Sequence, residues 1–276
     1  MSPWVLNRER SRKQAAVPLD VNYRKNAPGL TSRFVQARRF VQVFSIATTP
    51  SPTSGLQVLF HIKICGIRRR EEVAAVAAAG ADAIGLNFFP PSIRFVEPSA
   101  ASTIELSRFA NDKRIMRVGV FVNRSLEEIV EIADTVGLDA VQLHGDETVD
   151  FTTGLIDRLS LRVIRAIKLP TGPLDPQHIE AAAARWVELG CHPLLDAQAG
   201  AEHGGSGKTL DWDAVGQWKR DFQPESFTLA GGLNPGNVGE AMERSGASSV
   251  DTASGVEQPR GEKQPELIRA FVKACR

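Results

Sequence analysis

The chain has 276 residues, of which 33 are Lys or Arg, 32 are Asp or Glu and 42% are hydrophobic, and its formal net charge is +1. This composition supports a hydrophobic core and excludes an intrinsically disordered protein, and no apolar run approaches the roughly 20 residues that a membrane-spanning helix needs. The three cysteines, Cys65, Cys191 and Cys275, are too few and too far apart for a disulfide scaffold or a cysteine-rich zinc module, so we predict a cytoplasmic protein.

The N-terminal segment differs from the remainder of the chain in charge. Residues 1–60 contain nine basic and two acidic side chains, whereas residues 61–276 carry a net charge of −6, which argues against a nucleic-acid-binding surface there. Three interpretations of this basic, proline-containing extension remain open: a disordered tail or sequence upstream of the true start, an organellar transit peptide, or a helix that binds a membrane surface or a partner. We predict that residues 1–60 are poorly ordered and that residues 61–276 form one domain.

From His61 onward, short strands rich in β-branched residues alternate with helices rich in Ala and Glu. The predicted strands are His61–Cys65, Asp82–Asn87, Arg117–Val122, Ala140–His144, Val163–Lys168, Pro193–Asp196, Phe227–Ala230 and Ser249–Asp251. The predicted helices lie near residues 69–79, 98–109, 125–136, 147–158, 176–188, 211–219, 235–245 and 264–275. Since parallel strands need helical crossovers, this alternation predicts a parallel sheet. Eight units fit a (β/α)₈ barrel, and an open doubly wound sheet is the alternative.

A weak internal repeat favours the closed barrel. Gly80, Gly137, Gly190 and Gly246 precede every second predicted strand, at spacings of 57, 53 and 56 residues. Each glycine is predicted to end a helix in the left-handed conformation before the next strand begins. Even spacing of this kind suits a pseudo-fourfold barrel better than a sheet whose strand order reverses.

The active site of such a barrel lies at the C-terminal ends of its strands. A thiol, an imidazole and two carboxylates stand among the residues that end the predicted strands, which are Cys65, Asn87, Asn123, His144, Lys168, Asp196, Gly231 and Asp251. Each of them alone is commonly a buried hydrophobe, a turn residue or a helix cap. Their convergence on one rim predicts a catalytic site.

Glycine-rich loops follow the last two predicted strands. Gly231 and Gly232 precede Asn234, the expected cap of the next helix, and Ser254 and Gly255 follow strand eight. Loops at these places commonly bind phosphate, because backbone N–H groups and a helix N-terminus face the anion. We therefore predict a phosphorylated substrate held by Gly231, Gly232, Ser254 and Gly255, with tight turns that bind nothing as the alternative.

Two further loops are distinctive. The segment His203–Thr209 resembles a nucleotide-binding P-loop, but Glu202 stands where that motif requires glycine, so we predict a mobile loop that closes over the site. The segment Phe88–Arg94 presents an arginine after strand two. The planar guanidinium of Arg94 suits a carboxylate or a phosphate, and a solvated surface arginine is the alternative.

Together these segments resemble the phosphoribosylanthranilate isomerase family over about residues 62–275. The resemblance rests on motifs in this order: Lys63–Ile67, Asn87–Val96, Val118–Asn123, Val141–Glu147, Leu194–Asp196, Gly204–Thr209, Leu229–Pro235 and Val250–Glu257. Each motif is weak alone, whereas the ordered set is highly specific. The resemblance implies a (β/α)₈ enzyme of tryptophan biosynthesis that converts N-(5-phosphoribosyl)anthranilate to 1-(2-carboxyphenylamino)-1-deoxyribulose 5-phosphate by an Amadori rearrangement.

The resemblance also implies roles for individual residues. Asp196 is implied to be the acid that protonates the ring oxygen of the sugar, and Cys65 the base that removes the C2′ proton. Arg94 matches the position that pairs with the anthranilate carboxylate, while His144 and Asp251 are implied to line the pocket. No metal and no organic cofactor are implied, because the amine of the substrate acts as the electron sink.

Several expectations accompany this assignment. Cys65 needs a lowered thiol pKa to act as a base, and Lys63, two residues earlier on the same strand face, would favour the thiolate. Ala253 stands where the family usually has serine, which puts one phosphate or lid contact in doubt. The alternatives are indoleglycerol-phosphate synthase, a ribulose-phosphate epimerase, or a silent barrel that binds a phosphometabolite. The partner is a small phosphosugar, with no nucleic acid or membrane, and the protein is a monomer or a homodimer.

Overall fold

The computed structural model describes residues 58–197 and 209–276. Its eight parallel strands are β1 (Ile62–Cys65), β2 (Ala83–Asn87), β3 (Met116–Phe121), β4 (Ala140–Leu143), β5 (Arg162–Leu169), β6 (His192–Ala197), β7 (Thr228–Leu229) and β8 (Ser249–Thr252). Each strand pairs with its neighbours in chain order, and β1 also pairs with β8. The sheet is therefore closed, which confirms the predicted (β/α)₈ barrel and excludes the open sheet.

Eight helices follow the strands in the described part of the chain. They are α1 (Arg70–Ala79), α2 (Ala101–Asp112), α3 (Leu126–Val136), α4 (Val149–Arg158), α5 (Pro176–Glu188), α6 (Trp212–Phe222), α7 (Val238–Ser245) and α8 (Pro265–Ala274), with a short 3₁₀ helix at Ser254–Val256. Side chains cap several of them. In α3, for example, Ser125 and Glu128 form a capping box that satisfies backbone N–H groups at the helix start.

Helix α7 begins three residues later than predicted. Asn234 does not cap it directly, because the Asn234 side chain accepts a hydrogen bond from Gly236 N–H and so closes a tight turn. The Asn234 carbonyl then accepts from the N–H groups of Asn237 and Val238, and the helix starts at Val238. The expected cap is thus part of a turn that extends the loop after β7.

The four repeated glycines adopt the left-handed conformation that the sequence predicts. Their φ angles are +85° at Gly80, +70° at Gly137, +86° at Gly190 and +67° at Gly246. The acidic residue that follows the first glycine also joins two strands, since the Asp82 carboxylate accepts from the backbone N–H groups that begin β1. Each repeat is therefore a turn that ends a helix, and the turn at Gly80 also tethers the start of β1.

Two hydrophobic cores form because strand side chains alternate between the two faces of the sheet. The larger one packs the outward side chains of the strands against the helices and includes Ile62, Ile64 and Val250. The smaller one fills the barrel interior with Phe60, Ala83, Val118, Ala140, Ile164, Ala166, Leu194 and Ala230. Gln142 and Asp196 stand two residues beyond interior Ala140 and Leu194, so strand alternation places these polar side chains on the same inner face. Within the described residues, no helix has the length and hydropathy to cross a membrane.

Candidate active site

Cys65 faces the barrel interior at the end of β1. Its outward neighbours Ile62 and Ile64 belong to the outer core, so Lys63 and Cys65 point inward, and Cys65 is 9% exposed. Gly85 on β2 lies directly opposite in the register of the sheet. A Cβ atom on Gly85 would lie 2.6 Å from Cys65 Sγ, so this glycine makes room for the sulfur. The sequence motif alone gives no sign of this role.

Beneath the thiol lies a buried ion pair. Lys63 is fully buried, and its Nζ lies 2.8 Å from Asp251 Oδ1 on the adjacent strand β8, whose register pairs the two residues. Burial alone would lower the pKa of Lys63, but Asp251 and Cys65 outweigh it and raise that pKa. Lys63 therefore stays charged in the barrel interior, next to the sulfur.

The expected lowering of the thiol pKa is wrong for this site. Burial raises the pKa of Cys65, and it does so even though Lys63, Lys263 and Arg94 each act to lower it. The carboxylate of Asp251 adds to the rise. The free-energy cost of desolvating a thiolate at the strand end is larger than the stabilisation from the nearby cations. The proximity of Lys63 therefore did not predict the direction of the pKa shift.

Arg94 does not present a free guanidinium. Its Nε and Nη2 donate to the two carboxylate oxygens of Glu257 at 2.7 Å each, and its side chain lies over Gly66, where an added Cβ would be 2.3 Å from Arg94 Cδ. Glu257 also accepts from Lys263 Nζ at 2.6 Å and from Gly261 N–H at 2.8 Å. Burial alone would raise the pKa of Glu257, but these hydrogen bonds hold it at about 2. The charged network thus covers the end of β1 immediately after Cys65.

Sequence reasoning missed Lys263 and the role of Glu257. Glu257 closes the last recognised motif, so it was visible in the sequence without an assigned partner. Lys263 lies outside every motif, and its Nζ also donates to the Ala253 carbonyl at 2.8 Å. The pairing of Arg94 with the anthranilate carboxylate remains a prediction.

Asp196 and His144 meet across the barrel mouth. Asp196 follows interior Leu194 on β6, and its Oδ2 lies 3.3 Å from His144 Nε2, which follows β4. Strand β5 separates β4 from β6, so this contact joins two strands that are not paired with each other in the sheet. On the other side of the imidazole, Gln142 Nε2 lies 3.1 Å from His144 Nδ1. Asp196 and His144 are both partly exposed, at 24% and 30% of their side chains, as expected for groups at an open mouth.

The loops after β7 and β8 form one tightly packed unit. Gly231 and Gly232 have φ angles of +83° and +70°, and a Cβ on Gly231 would lie 2.3 Å from the backbone nitrogen of Ala197. A Cβ on Gly255 would lie 1.9 Å from the Leu233 carbonyl oxygen. This close approach brings Ser254 and Gly255 beside the turn that contains the first glycine pair. The four predicted phosphate ligands therefore come from two loops in contact, and their role in binding remains a prediction.

Other predictions fall outside what the structure describes. The structure does not describe the extension up to residue 57. Nearly all of the predicted lid, residues 203–208, also lies outside the described residues. Among residues 58–197 and 209–276, no three His, Cys, Asp or Glu side chains are grouped so as to hold a metal ion.

Comparison with known proteins agrees with this architecture. The family model of N-(5'phosphoribosyl)anthranilate (PRA) isomerase matches residues 62–274. The N-(5'-phosphoribosyl)anthranilate isomerase of Thermotoga neapolitana is 38% identical over 218 residues, which are 79% of this chain and 99% of that protein. The enzyme of the same name from Citrifermentans bemidjiense is 39% identical over 217 residues, covering 76% and 94% of the two chains.

Solved structures give the same result. The phosphoribosyl anthranilate isomerase of Thermotoga maritima superposes with a TM-score of 0.68 at 32% identity, covering 79% of this chain and 98% of that one. A phosphoribosyl anthranilate isomerase in complex with reduced 1-(o-carboxyphenylamino)-1-deoxyribulose 5-phosphate has a TM-score of 0.64 at 31% identity, with the same coverage. The chain therefore belongs to the N-(5'-phosphoribosyl)anthranilate isomerase family.

Proposed function

We propose that this protein isomerises N-(5-phosphoribosyl)anthranilate to 1-(2-carboxyphenylamino)-1-deoxyribulose 5-phosphate, with Asp196 as general acid and Cys65 as general base. One observation carries the proposal. The thiol comes from β1 and the carboxyl from β6, both side chains point into the barrel, and both stand at the C-terminal ends of their strands. A sugar in the mouth would therefore have the acid on one side and the base on the other.

The reaction then proceeds in two stages, opening of the sugar ring and proton transfer from C2′ to C1′. Asp196 gives its proton to the furanose ring oxygen, the C1′–O bond breaks, and the nitrogen lone pair forms the C1′=N bond of a Schiff base. The Cys65 thiolate removes the C2′ proton, and the electrons of the C–H bond form C1′=C2′ while the nitrogen becomes neutral. C1′ then takes up a proton while the C2′ hydroxyl loses one, which gives the C2′ ketone. Because the substrate nitrogen accepts the electrons, this scheme needs no metal and no organic cofactor.

Because the pKa of Cys65 is raised, its thiolate needs electrostatic stabilisation from neighbouring groups. At neutral pH the buried thiol holds its proton, so the base forms only where cations stabilise the thiolate. Lys63 lies on the same strand face, and Arg94 and Lys263 belong to the network over the strand end. All three act to lower the pKa of the thiol. We assign to them the electrostatic stabilisation of the thiolate.

The remaining residues bind the two ends of the substrate. Gly231, Gly232, Ser254 and Gly255 hold the phosphate with backbone N–H groups, which glycine permits because no Cβ blocks the approach. Arg94, which lies over the end of β1, pairs with the anthranilate carboxylate. His144 and Asp251 line the pocket between these ends.

Turnover by the purified full-length protein tests the proposal. Loss of the fluorescence of phosphoribosylanthranilate reports the reaction, and Cys65→Ala and Asp196→Asn should each reduce the rate by at least about 100-fold, the usual contribution of a general acid or base. Cys191→Ala is the matched control, because Cys191 is buried just before β6, at the end of the barrel away from the mouth. Wild-type rates in Cys65→Ala or Asp196→Asn would refute the assignment, and tryptophan-requiring cells that carry each variant give an independent readout.

The assembly and the location of the protein complete the proposal. We retain the monomer and the homodimer as the two forms, and light scattering of the purified chain distinguishes them. We place the enzyme in the cytoplasm, with an organelle as the alternative if residues 1–60 are a transit peptide. N-terminal sequencing of the protein from its own cells decides between the two, since a transit peptide is removed on import. The same sequencing tests the proposed division into an extension at 1–60 and a barrel at 61–276.

A further inference from the structure

We propose that Gln142 is a positioning residue that fixes His144 as its neutral Nε2–H tautomer, so that His144 donates a hydrogen bond to Asp196. The proposal rests on the role of Asp196 as general acid given above. It extends that role to two residues beneath the carboxyl, neither of which contacts the sugar ring oxygen in the proposed reaction.

The first observation is the direction of the hydrogen bonds. Gln142 Nε2 is an amide donor and lies 3.1 Å from His144 Nδ1. An amide N–H needs an acceptor, so Nδ1 carries a lone pair and the ring proton is on Nε2. That proton faces Asp196 Oδ2 at 3.3 Å. The three side chains thus form a chain in which each donor points toward the acid.

The second observation is the burial of Gln142. This side chain is 1% exposed, in the interior of β4, and its Oε1 finds no hydrogen-bond partner among the described residues. An unpartnered buried amide oxygen costs free energy, so a glutamine is a poor choice here for packing alone. Its amide nitrogen is the group with a contact, and the contact is with the imidazole.

The chemical consequence concerns the moment of proton transfer. As Asp196 gives its proton to the ring oxygen, a negative charge develops on its carboxylate. The Nε2–H group of a neutral imidazole donates to that charge and stabilises it. The opposite tautomer would present a lone pair to the carboxylate and repel it. Gln142 in its observed orientation disfavours this state, because an Nδ1–H would point at the amide N–H₂ group.

The tautomer of His144 is directly measurable. Nitrogen-15 NMR of histidine-labelled protein distinguishes Nδ1 from Nε2 protonation, and the signals of His144 among the five histidines follow from comparison with the His144→Asn variant. We expect the Nε2–H form in the wild type. In Gln142→Glu, whose carboxylate accepts and does not donate, we expect the Nδ1–H form. Gln142→Met, which keeps the volume and removes the amide, should give a mixture of the two.

Kinetics should follow the tautomer. Gln142→Glu should lower kcat by about tenfold, the value of one hydrogen bond of about 1.4 kcal/mol, with little change in KM, because the lost interaction acts on the developing charge. Gln142→Met should lower kcat only about twofold, because about half of its molecules keep the Nε2–H form. An Nδ1–H signal in the wild type, or an unchanged tautomer in Gln142→Glu, would overturn the proposal. The wild-type spectrum decides even if a variant fails to fold. A fully active Asp196→Asn protein would instead refute the role of Asp196 and leave the tautomer assignment standing.

Discussion

Replacement of Lys63 by methionine tests the electrostatics of the proposed base. Methionine keeps most of the volume of the lysine side chain in the barrel interior and removes its charge. Two effects follow. The thiol of Cys65 loses the cation on its own strand face, and Asp251 loses the partner that lies 2.8 Å from its Oδ1.

Coulomb's law gives the size of the first effect. Two unit charges about 4 Å apart attract by about 4 kcal/mol at an effective dielectric constant of about 20. Asp251 acts on the thiol in the opposite direction, but it is present in both proteins and leaves this difference unchanged. Since one pKa unit is about 1.4 kcal/mol, we expect Lys63→Met to raise the thiol pKa by up to about three units and to lower kcat/KM at neutral pH by up to about 1000-fold. The unpaired Asp251 should also cost about 3 to 5 kcal/mol of stability.

The matched control is Asp251→Asn, which should move the thiol pKa the other way. Asp251 raises the pKa of Cys65, so its neutralisation lowers that pKa, whereas loss of Lys63 raises it. The ultraviolet absorbance of the thiolate against pH, with the Cys65→Ala curve subtracted, measures both shifts. Burial raises the pKa of Cys191 to about 11 and that of Cys275 to about 12, and the subtraction removes the contribution of these two thiols because both remain in the Cys65→Ala protein. Shifts of the same sign in the two variants, or no shift in either, would refute the reasoning.

Three further substitutions probe other parts of the site. Gly85→Ala places a Cβ 2.6 Å from Cys65 Sγ, so we expect a displaced sulfur and a kcat at least about tenfold lower, with a folded protein by circular dichroism. Gly231→Ala sets a Cβ 2.3 Å from the nitrogen of Ala197, so KM for the phosphorylated substrate should rise; an unchanged KM would contradict the phosphate assignment. The pKa of Glu257 lies at about 2, below its ordinary value of 4.5, and this stabilises the protein by roughly 3 kcal/mol above pH 5. That contribution is lost as the pH falls from about 5 to 2, so urea titrations should show the stability gap between wild type and Glu257→Gln closing over this range.

The fold was readable from the sequence because its signals are local. Strand and helix predictions hold to within a few residues, since β-branched runs, helix caps and left-handed glycines each act over a few positions. The glycine at position 137 illustrates this: the turn it forms depends on its own φ angle and on the helix that it ends. The closure of the barrel was predicted from the number of strand–helix units.

The site was readable in part, because alternation along a strand dictates which side chains face inward. The alternation of side chains along each strand is enough to predict that Cys65 and Asp196 face the same mouth of the barrel. It does not give the partners of those groups. Arg94 and Glu257 are 163 residues apart in the chain, and their bidentate contact depends on how two loops fold over β1. The predicted direction of the pKa shift of the thiol was wrong for a related reason, since this direction depends on how completely the barrel excludes water from the sulfur.

The position of Arg94 has a consequence for substrate binding. Two of its three guanidinium nitrogens, Nε and Nη2, already donate to Glu257, so we expect an incoming anthranilate carboxylate to bind at Nη1. The substrate anion would then approach Glu257 as well, a like charge that Lys263 neutralises on its other side. In the proposed complex Lys263 would therefore allow one arginine to serve two carboxylates, within the network to which we assign the stabilisation of the Cys65 thiolate. We accordingly expect binding of the aromatic acid and activation of the base to depend on the same buried cations.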